Sequence, residues 1–188
     1  MKQICLIGPV DKRPIAYPLI KCLMYLGRVL VVADESVYRR FSEDLETDYT
    51  HNNSEFHISA TPNYKELKER GEAFDYVVYI TTNELPEGND KVIYCRGINK
   101  NICTTPVLKV LDDIEHIEVY LTFSKPTEEK ALKVEPSKGV MTYINECEEQ
   151  MEFVATKDAA YANMLQKFFE KELELPLKAI KGLLGRKE

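Results

Sequence analysis

Near the start of the chain one glycine and two cations stand together, in Gly8-Pro9-Val10-Asp11-Lys12-Arg13, and an acid, Asp34, follows. Lys12 and Arg13 at the opening of a helix are charges suited to a phosphate or dinucleotide. An acid closing the next strand suits a ribose hydroxyl. Nothing else in the chain sets a nucleophile beside a base. His51 and His57 are six positions apart, with no cysteine nearby and no helical metal spacing, so they read as part of a solvated loop. The five cysteines, Cys5, Cys22, Cys95, Cys103 and Cys147, lie mostly within apolar runs and read as reduced core thiols of a cytoplasmic protein.

The elements around that loop must place it. Gln3-Ile4-Cys5-Leu6-Ile7 is a fully buried strand by its composition, and Pro14 suits the first turn of a helix. From there Ile15, Leu19, Ile20, Leu23, Met24 and Leu26 recur at helical spacing until Gly27, and Val29-Leu30-Val31-Val32-Ala33 forms a second apolar strand ending on Asp34. Strand, helix and parallel strand make a right-handed βαβ unit. In such sheets ligands bind at the carboxyl ends of the strands, where residues 8–13 and Asp34 fall.

Further strands are expected at 56–58, 74–81, 91–95, 117–123, 140–144 and 151–155, and residues 47–55 read as too polar for the core. Helices are expected at 37–41, 62–70, 105–111 and 157–173, the last capped by Thr156. Residues 127–132 read as a short helix or turn and 136–139 as a turn. The fold class is α/β, a doubly wound, mostly parallel sheet with helices on both faces. A chain of 188 residues, 44% hydrophobic and 30% charged, suits one domain with a proper core. Its net charge of -6 argues against a general nucleic-acid binder. No leader is expected, since Met1 runs straight into a core strand, and no apolar run approaches the roughly 18 residues of a membrane span.

The order and spacing of the first 34 residues resemble the MinD/ParA class of P-loop ATPases, whose pattern is strand, K-G-G-x-G-K-T-T, helix, glycine, strand, Asp. In that class the phosphate-binding lysine precedes the helix-ending glycine by 15 positions. Lys12 stands in that relation to Gly27, with Gly8 at the first glycine of the loop and Asp34 at the closing acid. The departures are chemical. Pro9 has no N–H to offer a phosphate, Asp11 replaces the glycine before the lysine and sets a negative charge there, and Arg13 and Pro14 replace the two threonines, one of which holds magnesium. Further on, Phe74-Asp75-Tyr76 and Thr81 match the strand that carries the Walker B acid, but Ile80 stands in that acid's place, and Asn89-Asp90 introduces the next strand as in the family.

The resemblance covers roughly residues 1–95 and rests on spacing more than on identity. It implies a P-loop NTPase-like fold and a vestigial nucleotide site of Gly8, Lys12, Arg13 and Asp34, with no catalytic residue and no metal ligand retained. No cofactor is expected, ATP or ADP being what such a loop would hold. It implies a non-hydrolysing scaffold or positioning adaptor, similar to members attached to pilus, secretion, conjugation or division assemblies, and a homodimer formed across the nucleotide site. The rival reading is a nucleotide- or dinucleotide-binding Rossmann-like enzyme using residues 8–13, although that loop has one glycine where a dinucleotide fingerprint has three. A receiver-like domain does not fit, because Ile80 and Thr81 occupy the strand end where its acceptor acid would stand.

Residues 176–188 form a second unit beside the domain of residues 1–175. At 100° per residue Leu177, Ile180, Leu183 and Leu184 fall within an arc of about 120°, with Lys178, Lys181 and Arg186 outside it and Lys187 following. A basic amphipathic helix of this kind suits an anionic membrane surface, and it resembles the membrane-targeting helix of MinD proteins. Partner docking or packing on its own domain uses the same leucines. The membrane reading puts the protein on the cytoplasmic face, bound to a protein of a membrane assembly, with a dimer strengthening attachment.

Overall fold

The computed structural model describes residues 1–33, 49–51, 54–58, 69, 74–96, 105–121, 132–134 and 159–179. The chain opens with strand β1 (Lys2–Ile7), helix α1 (Arg13–Leu26) and strand β2 (Val29–Ala33), as the apolar runs and the change of period require. Then come β3 (Tyr49–His51), β4 (Ser54–Ile58), β5 (Tyr76–Thr81), β6 (Lys91–Arg96), α2 (Thr105–Leu111), β7 (Ile117–Leu121), β8 (Leu132–Val134), α3 (Ala159–Glu172) and a 3-10 turn, Leu177–Ala179.

The strands form one sheet in the order β3-β4-β2-β5-β1-β6-β7-β8. Every pairing is parallel except β3 with β4, which closes one edge as an antiparallel pair. β1 and β2 do not touch: β5 lies between them, with Leu6 and Ala33 both in register with Ile80. The central strands are buried on both faces, which is why they read as unbroken apolar runs rather than as alternation.

Alternate residues feed two cores. Ile4, Leu6, Val29, Val31, Val78, Ile80 and Ile93 pack under α1 and α3, against Leu19, Leu23, Leu165 and Phe169. Cys5, Ile7, Leu30, Val32, Tyr79 and Tyr94 face the other way, toward Val107 and Leu111 of α2. Each fully buried aliphatic or aromatic side chain contributes about 1.5–3 kcal/mol. Helices therefore cover both faces, and the doubly wound α/β expectation holds.

Two joints fix α1. Gly27 follows its last turn, and a Cβ there would come within 2.4 Å of an Asp75 carboxylate oxygen. That carboxylate accepts from the Arg28 N–H at 2.8 Å, so a glycine is needed for the start of β5 to lie close beneath the end of the helix. Inside α1, Pro18 has no N–H to give the carbonyl of Pro14 four residues back. The Tyr161 hydroxyl of α3 donates to that carbonyl instead, at 2.6 Å. The amino end of β1 is held by Asp90, whose carboxylate accepts from the Gln3 N–H at 2.6 Å and whose own N–H donates to the Gln3 carbonyl at 2.9 Å.

Several expectations change. Residues 47–55, read as a loop, contain β3 and the start of β4, and His51 and His57 lie on those strands. β3 is only three residues long and sits at the sheet edge, so no apolar run marks it. Leu132, expected in a helix or turn, starts β8. The boundary at residue 175 also moves: Leu175 and Leu177 are buried in the same core as α1 and α3, so the domain runs on past Pro176. The expected elements at 37–41, 62–70, 136–139, 140–144 and 151–155, the cap Thr156, Phe123 and residues 180–188 lie outside the described residues, apart from Glu69, which is helical. Among the described residues no helix is long and apolar enough to cross a membrane.

Candidate functional site

The loop between β1 and α1 sits at the carboxyl end of the central strands. Gly8 has φ 143°, a backbone conformation that side chains rarely adopt, and a Cβ there would stand 1.9 Å from the Cys95 carbonyl oxygen of β6. Its N–H donates to the Thr81 carbonyl of β5 at 3.2 Å. The glycine thus serves a close crossing of three backbones.

Lys12 is the N-cap of α1 and is only 5% exposed. Its carbonyl takes the N–H groups of Ile15 and Ala16 at 3.0 and 2.8 Å. Its ammonium turns back into the loop and donates to the carbonyl oxygens of Gly8 at 2.6 Å and Val10 at 3.1 Å. A buried cation must be hydrogen-bonded, and the loop's own carbonyls do this.

Arg13, also buried, is clamped by Asp11. Its Nε donates to both carboxylate oxygens at 2.9 Å, its Nη2 to Oδ2 at 2.6 Å, and its backbone N–H to Oδ1 at 3.1 Å. This is a forked, charge-assisted pair set on the first turn of a helix. Asp11 is therefore not merely a repulsive charge but a bound partner of Arg13. The signal was present in the sequence: an Asp two residues before a helix start is an Asx-turn pattern.

The neighbouring strand ends complete the surroundings. Ile80 is 1% exposed and packs in the apolar layer under α1, so a core side chain occupies this strand end. Thr81 is buried, and its hydroxyl donates to the Glu84 carbonyl at 2.5 Å. Burial pushes the Cys5 and Cys95 thiols up to about 12, Lys12 opposing the rise in both and a hydrogen bond with Thr81 opposing it in Cys5. Cys22, under α1, is likewise held at about 12 by burial. All three are free thiols in the core, as their apolar surroundings in the sequence imply.

Of the expected nucleotide-site residues, Gly8, Lys12 and Arg13 meet in one loop, while Asp34 lies outside the described residues. Of the expected docking residues, Leu177 is corrected: it is 0% exposed and packed into the domain, because a leucine two positions beyond Leu175 continues the same core. Lys178 is exposed; Ile180, Lys181, Leu183, Leu184, Arg186 and Lys187 lie outside the described residues. Sequence reasoning missed Tyr161, since nothing in its spacing marks it as the donor to Pro14.

No protein-family model and no curated protein matches the chain. Among the solved structures that share its fold are two whose likeness runs over nearly the whole chain. One is the MinD cell division protein of Aquifex aeolicus, at TM-score 0.62 and 11% identity over 95% of this chain and 100% of that one. The other is apo McdA of Cyanthece, at TM-score 0.50 and 14% identity over 98% of this chain and 100% of that one. Likeness at such low identity speaks for architecture: the chain has a MinD/ParA-like α/β fold of the P-loop NTPase kind.

Proposed function

We propose that this chain uses its MinD/ParA-like fold as a positioning scaffold that does not hydrolyse ATP. Phosphoryl transfer on this fold is almost entirely positioning and charge stabilisation, and it needs a hydroxyl and an acid around magnesium. Arg13 and Pro14 stand at the threonine positions, and Ile80 is buried in the core at the acid's place. The observation that carries the reading is the Ile80 position, where a carboxylate would have to be buried among Leu6, Ala33 and α1.

In this reading Gly8, Lys12, Arg13 and Asp34 are the relic of a nucleotide site, and Gly8 and Lys12 are kept for the loop's own structure. The protein works as a homodimer on the cytoplasmic face of the membrane and recruits a protein of a membrane-bound assembly. Residues 180–188, with Ile180, Leu183 and Leu184 on one arc of the helical pattern, Lys181 and Arg186 outside it and Lys187 following, join Lys178 in meeting anionic lipid or the partner. Leu177 anchors the tail to the domain.

Calorimetric titration of the whole chain with ATP and ADP, with and without magnesium, tests this, with Lys12→Ala as control. The scaffold reading expects no magnesium-dependent binding and no phosphate release. The rival is a nucleotide-binding Rossmann-like enzyme, favoured by two cations meeting at a helix start beside the carboxyl ends of the strands. Tight binding to the chain that disappears in Lys12→Ala would establish that rival.

A further inference from the structure

Among the described residues four large hydrophobic side chains are exposed, and two of them, Val110 at 37% and Ile114 at 40%, stand four positions apart at the end of α2. The chain keeps turning between them, the Ile114 N–H donating to the Leu111 carbonyl at 3.0 Å. Asp112, Asp113 and Glu115 lie around the pair, all exposed, and among the described residues no cation bridges to any of them. Lys109 is exposed beside them, which leaves three acids to one base. The end of the chain carries the opposite pattern. Ile180, Leu183 and Leu184 are accompanied by Lys178, Lys181, Arg186 and Lys187, with Glu188 the single acid.

The two patterns meet at one end of the sheet. α2 leads into β7, so its last turn lies at the amino ends of the parallel strands. The chain approaches Ala179 at that same end, where Glu174 pairs with Lys91, the first residue of β6, at 3.2 Å and the Lys2 ammonium of β1 donates to the Leu173 carbonyl. β6 and β7 are neighbours, with Ile93 in register with Ile117, so about 5 Å along the sheet separates their starts. Residues 180–188 extend to about 30 Å, ample to round the rim of the sheet. We infer that the ledge of Val110, Asp112, Asp113, Ile114 and Glu115 is the docking site of the chain's own residues 180–188. Ile180 and the leucines cover the two exposed apolar side chains, and the cations answer the carboxylates. This rests on the reading of that segment as a membrane-binding tail, because a docked tail is withheld from lipid.

The contact is shallow and adds little to the stability of the domain. A short tether nevertheless supplies an effective concentration on the order of millimolar, so a contact too weak to join two free molecules is substantially filled within one. Anionic lipid then competes with the ledge for the same cations and the same leucines.

The test is carbodiimide coupling of the full chain, which joins a lysine to a carboxylate only where they touch, read by mass spectrometry of the monomer with and without phosphatidylglycerol vesicles. Links from Lys181 or Lys187 to Asp112, Asp113 or Glu115 are expected, and the vesicles should remove them. Val110→Ser with Ile114→Ser keeps every charge, and melting confirms that it folds. This variant should lose most of the links and bind the vesicles about two- to threefold more tightly, as a tail one-third to one-half free becomes wholly free. Absence of these links, links found only between copies, or a folded variant with unchanged links or unchanged vesicle affinity would overturn the docking. Protein that ignores vesicles in every form refutes the membrane reading instead, and the coupling pattern then decides the docking by itself.

Discussion

The bond from Tyr161 to Pro14 offers the most direct check on how α1 is held. Tyr161→Phe removes one oxygen and leaves the ring, so the packing of α3 on α1 is unchanged to first order. The Pro14 residue is buried, and Pro18 cannot supply the helical N–H. The expected loss is that of a buried acceptor deprived of its donor, about 1–3 kcal/mol, taken here as about 2 kcal/mol. For a chain of this length that lowers the melting temperature by about 4–8 °C. Urea unfolding should show the same loss as a lower midpoint at constant slope. A double-mutant cycle sharpens the case. Pro18→Ala restores an N–H at position 18, so its effect should be more favourable by about 1 kcal/mol or more in the Tyr161→Phe background than in the parent. Additive effects of the two changes, or a Tyr161→Phe loss below about 0.5 kcal/mol, would refute the claim that the hydroxyl replaces the missing helix bond.

Other outcomes follow from the same contacts. Gly27→Ala forces Asp75 off the Arg28 N–H and should cost about 2–3 kcal/mol in urea unfolding; a neutral substitution would mean that the crossing has slack. Cys5, Cys22 and Cys95 are raised by burial from 9.0 to about 12, so the stability they contribute is whole below pH 9 and is lost as pH climbs toward 12. Each thiol costs roughly 1 kcal/mol between pH 9 and 10, together about 3 kcal/mol, and a urea midpoint that stays flat there would contradict their burial. Cutting the chain after residue 179 should leave the melting temperature unchanged and abolish sedimentation with anionic liposomes. Cutting before Leu177 should in addition cost about 2–5 kcal/mol, because the core loses a buried leucine. Intact protein that ignores such liposomes would end the membrane role of the tail.

The parts of the fold that could be read from the chain are those where burial is complete. β1, β2, β5 and β6 are apolar on both faces, and the change of period at Pro14 and the stop at Gly27 bound α1 to within a residue. Of β4 the second half, residues 56–58, was legible, whereas β3 and β8 escaped because three residues carry no period. In the site, position was legible and partnership was not. Spacing put Lys12 and Arg13 at the helix start, but whether a cation faces solvent, a ligand or its own loop depends on where the side chain turns. Leu177 shows the same limit: a leucine on an apolar arc reads alike whether it meets lipid or its own core.

The placing of β5 has a consequence for how the chain is made. β1 and β2 are synthesised early, yet the strand that joins them, Tyr76–Thr81, comes only after β3 and β4. Until it emerges from the ribosome, the first βαβ unit has a slot one strand wide at its centre, edged by unpaired backbone on both sides. α3, which covers α1, follows later still. A nascent chain of this design holds its first two apolar strands unjoined until β5 is made, and its folding waits on contacts between residues far apart in sequence. Chaperone dependence during translation, and failure of amino-terminal fragments lacking β5 to accumulate as soluble protein, are what such an architecture requires.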